Sequence, residues 1–266
     1  MLLFWPCSWG LALANLINED IYKLTYYLIL FFLGSILMRS AGCIVNDIVD
    51  KDLDKKVKRT KNRPLASGLI STKSALSYVS ILCLLAFLVL IQFNNLTIIL
   101  GLGSMLLAFS YPYMKRITYW PQLFLGLTFN WGIIMASTAI NNDISGSIIT
   151  LYLAAIFWTL GYDTIYGLQD IEDDEIIGVK STSIKFKKNI KLFVSLCYLI
   201  STILLIYLFY HEINFNIFTI LMTTFILILI YQIKIFHKNK PKKCLVAFKF
   251  NNIAGLVLFF AIFSLS

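Results

Sequence analysis

The chain has 266 residues, a formal net charge of +9, a 59% share of hydrophobic residues and a mean hydropathy of +0.78. That is too apolar for a soluble domain of this length, and uninterrupted apolar runs of about 17 to 25 residues recur, the length that crosses roughly 30 Å of hydrocarbon. The composition therefore points to an all-α, polytopic membrane protein, and because the runs are continuous rather than alternating they exclude a transmembrane barrel.

Nine apolar segments are predicted, at residues 1–17, 25–48, 73–92, 96–111, 120–140, 147–168, 189–210, 214–236 and 247–265. The first begins at Met1 without a charged lead or a small-residue cleavage site, so it reads as a span and not as a signal peptide. The five cysteines (Cys7, Cys43, Cys83, Cys197, Cys244) are scattered singly, which gives neither a zinc motif nor a disulfide framework. His211 and His237 are isolated near span ends and read as interface residues.

Charge placement says more than its sum. Of the 23 basic residues, 21 fall in the regions after segments 2, 4, 6 and 8, leaving Lys23 on the other side and Arg39 inside segment 2. Basic residues mark cytoplasmic loops, so the chain is expected to have its N-terminus and its basic face in the cytoplasm, and nucleic acid need not be invoked as a partner. The membrane is expected to be a bacterial inner membrane, with the mitochondrial inner membrane as the alternative.

The same face carries ten of the fourteen acidic residues, in two stretches about 120 residues apart. Asp47, Asp50, Asp52 and Asp54 end segment 2; Asp163, Asp170, Glu172, Asp173, Asp174 and Glu175 end segment 6. If segment 2 stays helical to Asp54, Asn46, Asp50 and Asp54 occupy one face within about 80° of arc, with Asp47 beside them and Asp52 turned away. Asp163, Asp170 and Asp174 share a face by the same argument. Two facing columns of ionised carboxylates need cations between them, and carboxylate, amide and phosphate oxygens are hard ligands suited to Mg²⁺. The plainer alternative is a pair of solvated helix ends balanced by neighbouring lysines; it suffices for Asp52, Glu172 and Glu175, but two matching clusters on one face favour a joint site.

Candidate cations for a bound diphosphate are Arg59, Arg63, Lys115 and Arg116. Arg63 precedes Pro64 in a turn-rich stretch, and Lys115 and Arg116 follow Tyr-Pro-Tyr-Met and are expected in a short loop between spans. Most other lysines need no role beyond topology. Arg39, inside a span and on the face of Asn46, should point into the bundle, to neutralise an aspartate or to meet a substrate carboxylate.

At these residues the chain resembles a known family. Residues 42–68, GCIVNDIVDKDLDKKVKRTKNRPLASG, look like the first signature of the UbiA prenyltransferase family, and residues 162–182, YDTIYGLQDIEDDEIIGVKST, resemble its second. Residues 111–136, YPYMKRITYWPQLFLGLTFNWGIIMA, and 251–259, NNIAGLVLF, are similar to the family's 4-hydroxybenzoate branch. The resemblance implies one domain over residues 1–266, a nine-helix bundle with a central cavity opening to the cytoplasmic side. It implies Mg²⁺-dependent transfer of a polyprenyl group from polyprenyl diphosphate to the ring of 4-hydroxybenzoate, in ubiquinone biosynthesis, with the isoprenoid tail against membrane lipid.

By motif position, Asn46, Asp47, Asp50, Asp54, Asp170 and Asp174 resemble the metal and diphosphate ligands, with Asp50, Asp54, Asp170, Asp174 and Arg116 carrying catalysis. Tyr111, Lys115, Arg116, Arg59, Arg63 and Asp163 resemble substrate-binding positions. Family members usually carry a basic amphipathic lead-in before this chain's starting point, Met1-Leu2-Leu3-Phe4-Trp5-Pro6, so the first helix is expected to be truncated. Alternatives are another acceptor (homogentisate, a naphthoate or haem), an ion-coupled transporter that uses the aspartates as coupling sites, or a non-catalytic scaffold.

Overall fold

The computed structural model describes residues 1–16 and 20–265. It contains α1 (Phe4–Asn15), α2 (Ile21–Val49), α3 (Lys51–Asp54), α4 (Thr72–Leu90), α5 (Asn95–Ile117), α6 (Pro121–Asn141), α7 (Gly146–Gly167), α8 (Ile171–Ile177), α9 (Thr182–Lys185), α10 (Ile190–Leu208), α11 (Ile217–Ile235), α12 (Pro241–Lys249) and α13 (Asn251–Phe263), with no strand among the described residues. Side-chain caps open several of these helices. Ser71, Asn94, Ser145 and Asn216 each accept from the backbone N–H three residues on, which satisfies a donor the first turn leaves free. Asn142 ends α6 and Gly178 ends α8 in the left-handed region, at φ 55° and φ 80°.

Eight of these helical stretches among the described residues are long and apolar enough to cross a membrane, with α12 and α13 forming one of them. The ninth predicted span is α1. α1 is a largely buried helix of 12 residues that rises about 18 Å, less than the hydrocarbon core, beside the eight longer stretches. The predicted end of that first segment, residue 17, lies outside the described residues. Segment 4 was also drawn too short: α5 continues through Pro112 to Ile117, which puts Lys115 and Arg116 in its last helical turn and not in a loop. Cations at that end complement the helix dipole. The last span starts at Pro241, earlier than the predicted 247, and breaks at Phe250.

The hairpin α6–α7 forms the centre. Of the most apolar window of α7, 72% is buried inside the protein, against 17% for α4 and for α5, whose outer faces are left for lipid. In hydrocarbon, helices associate through close packing and polar contacts, and both occur here. Trp9 on α1 donates its Nε1–H to the Gly255 carbonyl at 2.8 Å and lies 4.9 Å from the Trp158 ring. The Tyr198 hydroxyl donates to Gln232 Oε1 at 2.6 Å, and Gln232 donates to Asn251 Oδ1 at 3.2 Å, tying α10, α11 and α13 inside the apolar layer.

Gly10 marks a close approach of two helix backbones. A Cβ there would lie 2.8 Å from the Ile133 carbonyl oxygen on α6, where only backbone movement gives relief. Gly10→Ala is expected to destabilise the protein by about 1–3 kcal/mol. Gly103→Ala, with nothing within 4 Å of its Cβ, should be neutral or stabilising. Thermal unfolding in detergent measures both, and equal melting shifts would refute the close-packing argument.

Candidate active site

Both acidic motifs lie where a span ends and the chain turns, so neither column is one continuous helix as expected. α2 stops at Val49 and Asp50 caps it at φ −94° and ψ 2°, after which α3 resumes for one turn. The i to i−4 hydrogen bonds nevertheless continue, from Asp50 N–H to Asn46 at 2.9 Å and from Asp54 N–H to Asp50 at 2.8 Å. The Asn46–Asp50–Asp54 column is thus bent, not broken, and Asp50 and Asp54 are both buried. In the second motif Asp163 belongs to α7, Asp170 sits in the break, and Asp174 is on α8 with its N–H on the Asp170 carbonyl at 2.8 Å.

The loop after α3 brings the two halves together across more than a hundred residues. Arg59 donates from Nε to Asp170 Oδ1 at 2.8 Å and Oδ2 at 3.0 Å, and its Nη2 pairs with Oδ2 as well. Lys58 N–H donates to Asp173 Oδ2 at 3.0 Å. Lys180 N–H donates to the Lys115 carbonyl at 2.8 Å, so the end of α5 joins the same cap.

Cations occupy the carboxylates in a definite order. Asp50, whose side chain is 1% exposed, pairs with Lys115. Arg63 Nη1 bridges Asp47 Oδ1 at 2.7 Å and Asp54 Oδ2 at 3.0 Å. Burial pushes the Asp50 carboxyl upward, with Lys115 pulling the other way. The Asp174 carboxylate has no hydrogen bond or ion pair among the described residues; burial, and then the neighbouring Asp170 charge, push it up to about 6. The hydrogen bond to Asp170 holds the Arg59 guanidinium above its ordinary range. Asp52 and Glu175 pair at the surface with Lys55 and Lys187, and Glu172 is exposed, as expected of solvated positions.

Beneath this charged layer a cavity of about 860 Å³ runs down between α2, α4, α5, α6 and α7. Eleven of the twelve predicted site residues line it: Asn46, Asp47, Asp50, Asp54, Arg59, Arg63, Tyr111, Lys115, Asp163, Asp170 and Asp174. Arg116 does not. Its Nη2 donates to the Val49 carbonyl at 2.6 Å and stands 3.9 Å from Asp50 Oδ1, so it braces the end of α2 from outside the cavity.

A second polar layer lies deeper. Arg39 and Asp163 are each seven residues before a member of the upper layer, Asn46 and Asp170, hence about 10 Å further down their helices. Arg39 lines the cavity with its guanidinium 5.1 Å over the Phe129 ring, faces the Asp163 charge, and has no carboxylate of the described residues within ion-pair distance. Tyr111 lines the cavity one helical turn below Lys115.

Sequence reasoning missed Tyr166 and Phe248. The Tyr166 ring lies 5.6 Å below the Arg59 guanidinium and 4.6 Å from Phe248 on α12, so it props the arginine that holds Asp170. Tyr166 is four residues before Asp170, a spacing that was available as a signal; nothing local marks Phe248.

Metal fit rests on the free oxygens. Asp50 Oδ1 is buried beyond hydrogen-bond reach of any partner, and the side chains of Asn46 and Asp174 line the cavity without a direct partner among the described residues. No three His, Cys, Asp or Glu side chains of the described residues converge as a ready-made metal cluster. That arrangement suits Mg²⁺, which is held by one or two carboxylates together with substrate phosphates and water and not by an all-protein cage.

A charged, cation-lined rim over an apolar cavity in a helical bundle defines the class to which comparison with known proteins also leads. Residues 3–254 match the UbiA prenyltransferase family, and the chain belongs to it. It is 42% identical over 264 residues to the 4-hydroxybenzoate octaprenyltransferase of Psychromonas ingrahamii, covering 99% of this chain and 90% of that protein. To the mitochondrial 4-hydroxybenzoate polyprenyltransferase of Arabidopsis thaliana it is 48% identical over 195 residues, 73% of this chain and 47% of that one. The chain thus spans about half the length of the mitochondrial relatives it matches. Its fold is that of the apo UbiA homolog from Aeropyrum pernix K1, with a TM-score of 0.82 at 21% identity over 98% of this chain and 97% of that one. A UbiA homolog from Archaeoglobus fulgidus bound to GPP and Mg²⁺ aligns with a TM-score of 0.69 at 19% identity, covering 99% of this chain and 98% of that one.

Proposed function

We propose that this chain, acting as one domain, transfers a polyprenyl group from polyprenyl diphosphate to the ring of 4-hydroxybenzoate and releases diphosphate, the ring-prenylating step of ubiquinone biosynthesis. One observation carries the reading: two acidic motifs from separate parts of the chain face each other, interleaved with Arg59, Arg63 and Lys115, at the mouth of a largely apolar cavity. The names of its bacterial and mitochondrial relatives support the acceptor. The loops that carry the motifs are also the basic ones, which supports a cytoplasmic site in a bacterial inner membrane.

Asn46, Asp50, Asp54, Asp170 and Asp174 would hold Mg²⁺, with Asp47 beside them. Bound there, the ion would supply Lewis-acid charge to the diphosphate oxygens. The chain's own residues do the rest. Lys115, Arg63 and Arg59 now rest on carboxylates; an arriving diphosphate offers them stronger acceptors, and moving onto it they neutralise the charge that grows as the allylic C–O bond breaks. Tyr111 presents its ring one turn below Lys115, beside the reacting carbon. Arg39 holds the carboxylate of the aromatic acid, and an Asp163 carboxylate oxygen accepts the hydrogen bond of its hydroxyl; the ring carbon beside that hydroxyl bonds the allylic carbon and gives up its proton to the released diphosphate. Apolar walls on α2, α4 and α5 take the isoprenoid tail and keep water from the electron-poor carbon.

The test uses purified protein in detergent with labelled polyprenyl diphosphate and four acceptors offered separately: 4-hydroxybenzoate, homogentisate, a naphthoate and haem b. Labelled product is expected with the first, lost on chelation and restored by Mg²⁺. Preference for any other acceptor overturns the assignment.

A further inference from the structure

No acidic residue follows Glu212, yet six lysines fall between Lys234 and Lys249: Lys234, Lys238, Lys240, Lys242, Lys243 and Lys249. All six are exposed, and no carboxylate of the described residues lies within ion-pair distance of any of them. The cations of the catalytic rim are different, since Arg59, Arg63 and Lys115 each rest on an aspartate. Loop topology accounts for the side of the membrane on which lysines fall. It does not account for six of them crowded without a counter-charge.

Their setting is a membrane rim. They occupy the end of α11, the turn after it and α12, at the same end of the bundle as the acidic motifs: Lys191 at the start of α10 lies 5.8 Å over Phe236, and Phe248 of α12 lies against Tyr166. α12 turns Cys244 and Ala247 into the bundle, fully buried, and leaves Lys242, Lys243, Val246 and Lys249 outside. Lys240, Lys242 and Lys243 surround the N-terminus of α12, where the helix dipole opposes cations unless an anion lies between them. Val246 on α12 and Tyr231 near the end of α11, 48% and 47% exposed, add apolar surface to the two helices that carry the lysines.

We propose that this rim binds the head groups of anionic phospholipids in the surrounding leaflet. Clustered lysines just outside a span attract such head groups within a Debye length of the surface, and the phosphates supply the counter-charge that the protein lacks. Because α12 packs on α7 and Phe248 lines the catalytic cavity, bound lipid steadies one wall of the site.

The test needs no substrate, so it stands or falls separately from the proposed reaction. The full chain is placed in nanodiscs of phosphatidylcholine alone or with one third phosphatidylglycerol, treated with an amine-acylating reagent, and read lysine by lysine by mass spectrometry. Lys238, Lys240, Lys242 and Lys243 are expected to react about fivefold more slowly with phosphatidylglycerol present, Lys56 and Lys61 to change by less than about twofold, and high salt to remove the difference. Equal slowing at all lysines, or none, overturns the proposal, as does equal protection by inorganic phosphate in phosphatidylcholine discs. In a second measurement, the fourfold change K238Q/K240Q/K242Q/K243Q should lose co-purifying phosphatidylglycerol in native mass spectra, and the corresponding four Lys→Arg changes should keep it. Retention by the glutamine variant equally overturns it.

Discussion

Asp50→Asn is expected to lower prenyl transfer by about 10²–10³-fold, the usual effect of removing one preorganised charge at a reacting centre. Asp50 is the most enclosed carboxylate of the site, 1% exposed, held from below by its N–H on Asn46 and from the side by Lys115. Its Oδ1 has no hydrogen-bond partner, with Arg116 standing 3.9 Å away. Asparagine keeps the shape but discards the charge. Lys115 and Arg116 then lose their anion, and a metal ion loses the best-placed free oxygen. Lys115→Met should by itself cost as much, and the double variant little more than either alone, because both residues belong to one unit. Labelled product formed by membranes, normalised to protein amount, measures all three. Near-wild-type turnover of Asp50→Asn would remove Asp50 from the metal and diphosphate site.

Asp174→Asn is expected to abolish activity and yet raise the melting temperature of the ligand-free protein at pH 8. The Asp174 carboxyl is pushed up to about 6 by burial, with Asp170 adding to it. A carboxyl whose folded-state pKa exceeds its unfolded value near 4 favours the folded state while protonated. That advantage is fully present below about pH 4 and is lost as pH rises through 6. At pH 8 the wild-type chain carries the cost of a buried charge that asparagine never has. A gain of about 1–2 kcal/mol is expected, shrinking toward zero at pH 4. Adding Mg²⁺ with a non-reactive prenyl diphosphate analogue should stabilise the wild-type chain by mass action and leave the variant unmoved. Stability surrendered at a site and recovered on ligand binding is the behaviour of a functional carboxylate. A variant that melts lower at pH 8, or that gains as much from the analogue, contradicts this role.

Local pattern carried much of the site. Asn46, Asp50 and Asp54 are related by single helical turns, and the turn at Asp50 bends that column without disturbing its hydrogen bonds. Asp52 was legible as a bystander for the same reason. Lys115 was misread because a proline after an apolar run usually ends a helix, whereas Pro112 is accommodated inside α5 and the helix continues for five more residues. Arg116, assigned to the site by motif position, lies in the fold at the end of α2, on the Val49 carbonyl and 3.9 Å from Asp50 Oδ1. Tyr166 stands four residues before Asp170, whereas Phe248 joins the site only because α12 packs on α7.

The sequence by itself determined that this is a helical membrane protein, that two acidic motifs end its second and sixth apolar runs, and that these meet the basic loops at one end. Those features depend on hydrophobic run length and on charge, which act residue by residue in hydrocarbon and water. The tertiary structure alone decided which cation rests on which carboxylate, that α5 continues through Pro112, and that Arg39 and Asp163 share a deeper layer. Arg59 meets Asp170 across 111 positions of chain, and Arg39 faces Asp163 across a cavity. Such pairings follow from distances that exist only once the helices have packed, and no periodicity in a single segment encodes them.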